Sequence, residues 1–110
     1  MISVFILHPV YSQGGVSAEG LNRKGMDELS SGNNNAAAGY FIEAISADPS
    51  KKHYYNNLAA AYMRNNDYYS AEKQLAQALK IDPEYTKALS NMSVVLFKTG
   101  RYREAYDTIS

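Results

Sequence analysis

The sequence predicts an all-α fold, a right-handed α-solenoid of three helix-turn-helix repeats with the last one incomplete. Two observations predict it. Pro49 and Pro83 lie 34 residues apart, and most small, large and turn-forming positions around them recur at that spacing. Within the repeats, apolar residues recur at i, i+3, i+4 and i+7, which is one face of an α-helix. Such a period indicates one supersecondary unit copied along the chain, each copy burying its apolar face against a neighbour.

The repeat places small residues opposite large ones. Small residues recur on the predicted first and second helices of each unit: Gly25, Ala59 and Ser93, then Ala37, Ala71 and Ala105. Large apolar residues recur between them: Leu21, Tyr55 and Leu89, then Phe41, Leu75 and Ile109. Because close-packed helices interdigitate by this alternation, the spacing predicts a continuous core along the array.

Turn signals separate the predicted helices. Gly32, Asn66 and Gly100 stand at equivalent positions within the units, and each residue type tolerates the left-handed conformation that ends a helix. Asp-Pro pairs ending at Pro49 and Pro83 mark the junctions between units, since proline cannot continue a helix but can begin one. The signals predict six helices, at 18–31, 35–47, 52–65, 69–81, 86–98 and 102–110.

The units therefore span residues 18–51, 52–85 and 86–110, after an N-terminal segment of residues 1–17. That segment opens on a short apolar run that is too short to span a bilayer, so no stable membrane span is expected. The apolar run is followed by small residues, as in the remnant of a secretory signal, which favours export to the periplasm or medium over a cytoplasmic location. It lacks a basic start, so an extension folded on the first repeat and a disordered tail stay open.

Composition argues against a catalytic, metal or nucleic-acid role. Lysine plus arginine and aspartate plus glutamate number 11 each, so the balanced chain has no electrostatic footprint for nucleic acid. There is no cysteine, and the two histidines, His8 and His53, lie far apart in the sequence. No serine occurs in a nucleophile-elbow context. We therefore expect neither an enzyme nor a cofactor or metal site.

At these offsets the chain resembles the tetratricopeptide repeat family. The middle unit carries the family's signature at Tyr55, Leu58-Ala59, Tyr62, Ala71, Leu75, Ala78 and Pro83. The first unit departs from it at Lys24 and Glu28, where apolar residues are expected. The resemblance covers residues 18–110 and implies a non-catalytic scaffold that binds a partner peptide or helix in a concave groove lined by the first helices.

The resemblance also implies groove positions. Carried over by offset, they are Asn22, Met26, His53, Asn56, Asn57, Arg64, Lys87, Asn91, Val94 and Lys98. Asparagine offers a donor and an acceptor to a peptide backbone of any sequence. The alternative is that Asn57 and Asn91 only stabilise neighbouring helices.

One subtype of the family, which binds chaperones, clamps a carboxylate with two lysines, two asparagines and an arginine. Asn57 and Lys87 match that set, whereas Asn22, Met26 and Asn91 replace the other three. Several converging charges are needed to hold a carboxylate firmly, so a strong clamp is not expected.

The C-terminal residues predict an apolar end. Ser110 falls within the sixth predicted helix, so Val95, Leu96, Tyr106 and Ile109 are expected to be partly exposed. Either the natural chain continues, or this end packs on another copy of itself. The second possibility makes homodimerisation through the C-terminal repeat the alternative function.

Overall fold

The computed structural model describes residues 16–110, and this region consists of six α-helices joined by short turns, with no strand. The helices are α1 (Ala18–Ser30), α2 (Asn34–Ala47), α3 (Lys52–Arg64), α4 (Tyr68–Ile81), α5 (Thr86–Lys98) and α6 (Tyr102–Ile109). Each boundary falls within one residue of its predicted position, and the all-α prediction is confirmed. Residues 1–15 lie outside the described region, so the interpretations of the N-terminal segment stay predictions.

The turn within each unit closes in the same way three times. Gly32, Asn66 and Gly100 have φ values of 85°, 60° and 83°, which are the left-handed conformations the sequence predicts. In the middle unit, the amide of Asp67, three residues after the end of α3, donates to the Tyr62 carbonyl five residues back at 2.9 Å. This 6→1 hydrogen bond satisfies a carbonyl that the helix end would leave unpaired.

The junctions between units are held by aspartate side chains. The Asp48 carboxylate accepts from the Ser50 amide, and the Asp82 carboxylate accepts from the Glu84 amide, both at 3.1 Å. Lys52, the first residue of α3, pairs with Asp82 and places its ammonium 4.8 Å from the centre of the Tyr85 ring. The N-terminus of α3 is thereby tied to the turn that leads into α5.

The core consists of two clusters, one on each side of α3. The first contains Ala37, Phe41, Leu58 and Ala61, and the second contains Ala59, Ala71, Leu75, Ala78, Ala88 and Val95. Helix α3 contributes to both, with Leu58 and Ala61 in the first cluster and Ala59 in the second. Since neighbouring units share these clusters, each unit buries its apolar residues only when the units stack in register.

The first unit brings α1 and α2 closest together at a glycine. Gly25 is buried, and a Cβ atom built on it would lie 2.5 Å from Cε1 of the fully buried Phe41. No real Cβ approaches a carbon atom so closely, so only glycine fits opposite this ring. At the equivalent crossing in the third unit, the Ser93 hydroxyl donates to the Ala105 carbonyl at 3.1 Å.

Helix α1 forms despite the departure of its sequence from the repeat pattern. The Ser17 hydroxyl caps it by accepting from the Gly20 amide at 3.0 Å. Lys24 and Asp27 are exposed, whereas residues 34 positions later, Leu58 and Ala61, are buried against the preceding unit. Helix α1, at the N-terminal end of the described array, is therefore polar at positions where α3 is apolar and buried.

The expected exposure at the other end is only partly correct. Val95 and Leu96 are 0% and 4% exposed, so for these two the expectation was wrong. Val95 belongs to the second cluster and packs backward on the middle unit. Leu96 lies one turn beyond Ser93, whose hydrogen bond places that face of α5 against α6. Tyr106 and Ile109 are 68% and 64% exposed.

The longest of the six helices have 14 residues, and none of the helices in residues 16–110 has the length and apolarity that a bilayer span needs.

Candidate functional site

Successive first helices are joined by hydrogen bonds between residues 35 positions apart. Asn57 Nδ2 donates to Asn22 Oδ1 at 2.9 Å, which links α3 to α1. Asn91 Nδ2 donates to Asn56 Oδ1 at 3.0 Å, which links α5 to α3 in the same way. Because one amide pairing is repeated, the three first helices lie side by side in a regular series.

Two further contacts hold α1 against α3. At the N-terminal end, the Tyr54 hydroxyl donates to Glu19 Oε1 at 3.1 Å. At the opposite end, Arg64 Nη1 donates to the Leu29 carbonyl in the last turn of α1 at 2.9 Å, and that oxygen also accepts from the Gly32 amide at 3.1 Å. Together with the asparagine pair, these contacts fix the two helices along most of their length.

The pKa values of the Glu19 carboxyl group and the Tyr54 phenol are shifted in opposite directions. Burial, together with the adjacent Glu19 carboxylate, raises the pKa of Tyr54 to about 12. The hydrogen bond from Tyr54 lowers the pKa of Glu19 below its ordinary value, and His53 lowers it further, with His53 Nε2 3.5 Å from Glu19 Oε1. At neutral pH the phenol therefore keeps the proton that it donates, and the carboxylate is charged.

The asparagines fall into two groups. Asn22 and Asn56 are only 2% and 6% exposed, so they act chiefly as acceptors inside the helix interface. Asn57 and Asn91 are half-buried and use one amide N–H each to reach the preceding helix. Among the described residues, neither of their Oδ1 atoms accepts a hydrogen bond. The stabilising and the binding interpretations are thus compatible, because each side chain retains an acceptor and a second donor.

A polar cavity of 370 Å³ lies between α3 and α5. We call it the polar cavity, and it is lined by Asn56, Thr86, Lys87, Ser90 and Asn91. Lys87 and Ser90 are exposed, and the two amides form a paired wall. One ammonium, two hydroxyls and two amides complement a carboxylate or the carbonyl and amide groups of a peptide backbone.

The structure places the other predicted groove residues in three locations. Met26 is 49% exposed on α1, and its Sδ atom lies 3.5 Å from Asn22 Nδ2. Arg64 and Lys98 are exposed in the last turns of α3 and α5, at equivalent positions of successive units. Val94 lines a different, apolar cavity at the end of the array, so it is not brought together with Lys87.

Sequence reasoning missed Glu19, Tyr54 and Thr86. A usable signal for the helix interface exists, because these four asparagines form pairs 35 positions apart, 22 with 57 and 56 with 91, in addition to the 34-residue repeat that relates 22 to 56 and 57 to 91. Within the described part of the chain, no group of three or more histidine, aspartate or glutamate side chains could hold a metal ion.

Comparisons with known proteins agree with this geometry. Two tetratricopeptide repeat family models match the chain, at residues 22–86 and 66–110. The small glutamine-rich tetratricopeptide repeat-containing protein 2 of Mycosarcoma maydis is 37% identical over 90 residues, which is 82% of this chain and 26% of that protein. The chain therefore spans about a quarter of the length of this curated relative.

Solved structures give the same result. The first and second TPR domains of Spaghetti (RPAP3), each bound to the HSP90 peptide SRMEEVD, are 27% and 26% identical to the chain, with TM-scores of 0.82. Each match covers 84% of this chain, and 75% and 86% of those chains. The Sgt2 TPR domain of Aspergillus fumigatus is 26% identical with a TM-score of 0.78, over 83% of this chain and 62% of that one. The chain belongs to the tetratricopeptide repeat family.

Proposed function

We propose that this chain is a non-catalytic protein-interaction scaffold that binds an extended, acidic peptide segment of a partner along α1, α3 and α5. The observation that carries this proposal is the polar cavity, in which Lys87 and Ser90 are exposed beside the paired amides of Asn56 and Asn91. An exposed cation next to unused amide groups suits a peptide that brings both a carboxylate and a backbone.

Charge on the first helices supports an acidic ligand. Of the ten predicted groove residues, Arg64, Lys87 and Lys98 are cations and none is an acid. All three are exposed, although Arg64 also holds the end of α1. Of the carboxylates on α1, Glu19 is engaged by Tyr54 and His53, and Glu28 accepts a hydrogen bond from Asn33. The chain is neutral as a whole, so this local excess of positive charge favours an acidic partner at that surface.

The asparagines support an extended ligand. Pairing across the helices fixes the rotamers of Asn57 and Asn91, so little side-chain entropy is lost when their remaining donors and acceptors bind. An extended peptide presents backbone groups whatever its sequence, and fixed amides can pair with them. Specificity then depends on the charged contacts, chiefly on Lys87.

The structural relatives support the same ligand class. The Spaghetti TPR domains are bound to a peptide ending in Glu-Glu-Val-Asp. This chain retains Asn57 and Lys87 of the residues that clamp a carboxylate in the family, with asparagine or methionine at the other three positions. Fewer converging charges predict weaker binding that depends strongly on the one lysine.

Replacing Lys87 with glutamate should therefore weaken the binding of an acidic peptide at least about tenfold, because a charge reversal turns attraction into repulsion. The measurement is a fluorescence anisotropy titration with labelled SRMEEVD as the probe. The wild-type chain should bind this probe more tightly than a probe in which glutamine and asparagine replace the acids, and raised salt should reduce that difference.

The matched control is Lys80→Glu, the same charge reversal at an exposed position in the last turn of α4. This variant should change the affinity by less than about twofold, since Lys80 lies on the second helix of its unit and not on the proposed binding surface. Equal binding of the acidic and neutral probes, or equal effects of the two reversals, would contradict the proposal.

A further inference from the structure

The second residue of each first helix is charged or titratable. These residues are Glu19 on α1, His53 on α3 and Lys87 on α5, each 34 positions from the next, and we call them the charge row. Lys87 lines the polar cavity, and His53 Nε2 lies 3.5 Å from Glu19 Oε1, so the row runs across neighbouring first helices. Along the array, the residue at this position changes from an acid to a histidine and then to a base.

The Glu19 carboxylate has an oxygen that its neighbours do not use. The Tyr54 hydroxyl, at 3.1 Å, and His53 both contact the same atom, Oε1. In residues 16–110 no hydrogen bond or ion pair reaches Oε2, and the Glu19 side chain is 55% exposed. The hydrogen bond from Tyr54 lowers the pKa of Glu19, so the carboxylate is charged at neutral pH. Glu19 is therefore an oriented, ionised acceptor that is accessible from solvent.

The helices at the two ends of the charge row differ in the same sense. Helix α1 carries three acids and two bases, whereas α5 carries two lysines and no acid. A ligand that lies across the first helices therefore meets a more negative surface at α1 than at α5. Complementary charges at an interface stabilise one arrangement of the ligand over the others. The charges of a matching ligand are thus ordered in the opposite sense.

No base of the described chain neutralises Glu19 by pairing with it. Within residues 16–110 its one ion-pair partner is His53, which is charged only when protonated. Arg23, one turn further along α1, is exposed and forms no ion pair with it. Residues 1–15 contain no lysine or arginine. The carboxylate is thus suited to a lysine or arginine supplied by a partner.

We propose that Glu19 binds a basic side chain of the ligand while Lys87 binds its acidic residues. The partner is then an extended peptide that lies with a lysine or arginine over α1 and with its acids over α5. This inference rests on the proposed function, because it uses the same surface and the same role of Lys87. It adds Glu19 as a second residue that determines specificity.

Helix packing sets the separation of the two kinds of charge on the ligand. Neighbouring helices pack with their axes about 8–10 Å apart, so α1 and α5, which lie on either side of α3, are about 16–20 Å apart. An extended peptide advances about 3.3 Å per residue, so about five residues separate the basic residue from the acids.

The test is a fluorescence anisotropy titration with three labelled probes, each acetylated and amidated and each containing Glu-Glu. One probe has lysine about five residues before the acids, the second has lysine about five residues after them, and the third has glutamine at both positions. At least one lysine probe should bind the wild-type chain at least about threefold more tightly than the glutamine probe, because it adds an ion pair.

Glu19→Gln should remove this preference for lysine. Glutamine still offers an oxygen to the Tyr54 hydroxyl, so the affinity for the glutamine probe should stay within about twofold of the wild-type value. A general disturbance of the surface would weaken the binding of all three probes equally. Selective loss of the lysine preference therefore identifies a direct contact and not a structural role.

The matched control is Asp27→Asn, which removes an acid from the same helix. Asp27 is exposed, and its equivalent on α3, Ala61, packs against the preceding unit, so Asp27 lies on the side of α1 away from α3. This variant should keep the lysine preference. Equal binding of the three probes by the wild-type chain, or a lysine preference that survives in Glu19→Gln, would overturn the inference and leave the proposed function in place. Failure of all three acidic probes to bind would contradict the proposed function, and this inference with it.

Discussion

Replacement of Phe41 by alanine is expected to lower the free energy of unfolding by about 3–5 kcal/mol, the range found when a buried aromatic residue is truncated and leaves a cavity. Phe41 is completely buried in the cluster that α1, α2 and α3 share. Since domains of this size are stable by only about 5–15 kcal/mol, this one change removes a large part of the total. Thermal unfolding followed by circular dichroism should show a fall in Tm of at least about 15 °C.

The neighbouring residue supplies the control. Ile42 follows Phe41 on the same helix but is 49% exposed. Ile42→Ala should cost less than about 1 kcal/mol, because much of its side chain is already in water and no closed cavity is created. Similar losses for the two variants would mean that the first cluster is not the packed core described above.

Gly25→Val is expected to be the second large effect, with a loss of about 3 kcal/mol. A Cβ at this position would meet Phe41 at 2.5 Å, and the ring is enclosed and cannot swing away. Inserting carbon atoms into a close-packed site forces side chains or helices apart. The measurement is chemical denaturation, in which the midpoint should fall with little change in the slope.

A second glycine and a second substitution at Phe41 test this explanation. Gly39 also lies inside a helix, but a Cβ there would meet nothing within 4 Å, so Gly39→Val should change stability by no more than about 0.5 kcal/mol. In a Phe41→Leu background, Gly25→Val should cost at least about 1 kcal/mol less than alone. Additive costs would show that the crossing at Gly25 is not limited by that ring.

The helices were predictable because their ends are specified locally. Asn66 adopts the left-handed conformation that its residue type tolerates, and Asp67 caps the next helix by accepting from the Ser70 amide. The 34-residue spacing of Pro49 and Pro83 then repeats the unit. Such signals depend on a few adjacent residues, so the sequence alone specifies both the helices and their pairing.

The contacts between successive first helices were less predictable, because they depend on how far each unit is rotated and shifted relative to the preceding unit. The observed hydrogen bonds join residues 35 apart, as from Asn57 to Asn22, whereas the sequence repeat is 34. In this arrangement Asn22 and Asn56 are buried between successive first helices, whereas Lys87 lines the polar cavity. Offsets carried over from a family identify which helix face a residue occupies, but not whether its polar atoms are already paired.

The C-terminal end shows the same limit. Val95 is apolar and near the end, which suggested exposure, yet it points to the preceding unit and is buried. Val94, one residue earlier, lines the apolar cavity at the end of α5, and its assignment to the groove stays a prediction. Neighbouring helix positions differ by 100° in direction, so a small error in the assumed rotation moves a residue to a different surface.

If the proposed function is correct, the stacked first helices form one binding surface at the polar cavity. Nuclear magnetic resonance of the ¹⁵N-labelled chain during titration with the SRMEEVD peptide tests this prediction most directly. The side-chain NH₂ groups of Asn57 and Asn91, which lie between successive first helices, give separate signals in these spectra. These signals and the backbone amides near Lys87 should shift progressively, while those of α2 and α4 stay in place. Shifts centred on the apolar cavity at the end of α5 or on the second helices, with the asparagine amides unmoved, would contradict it.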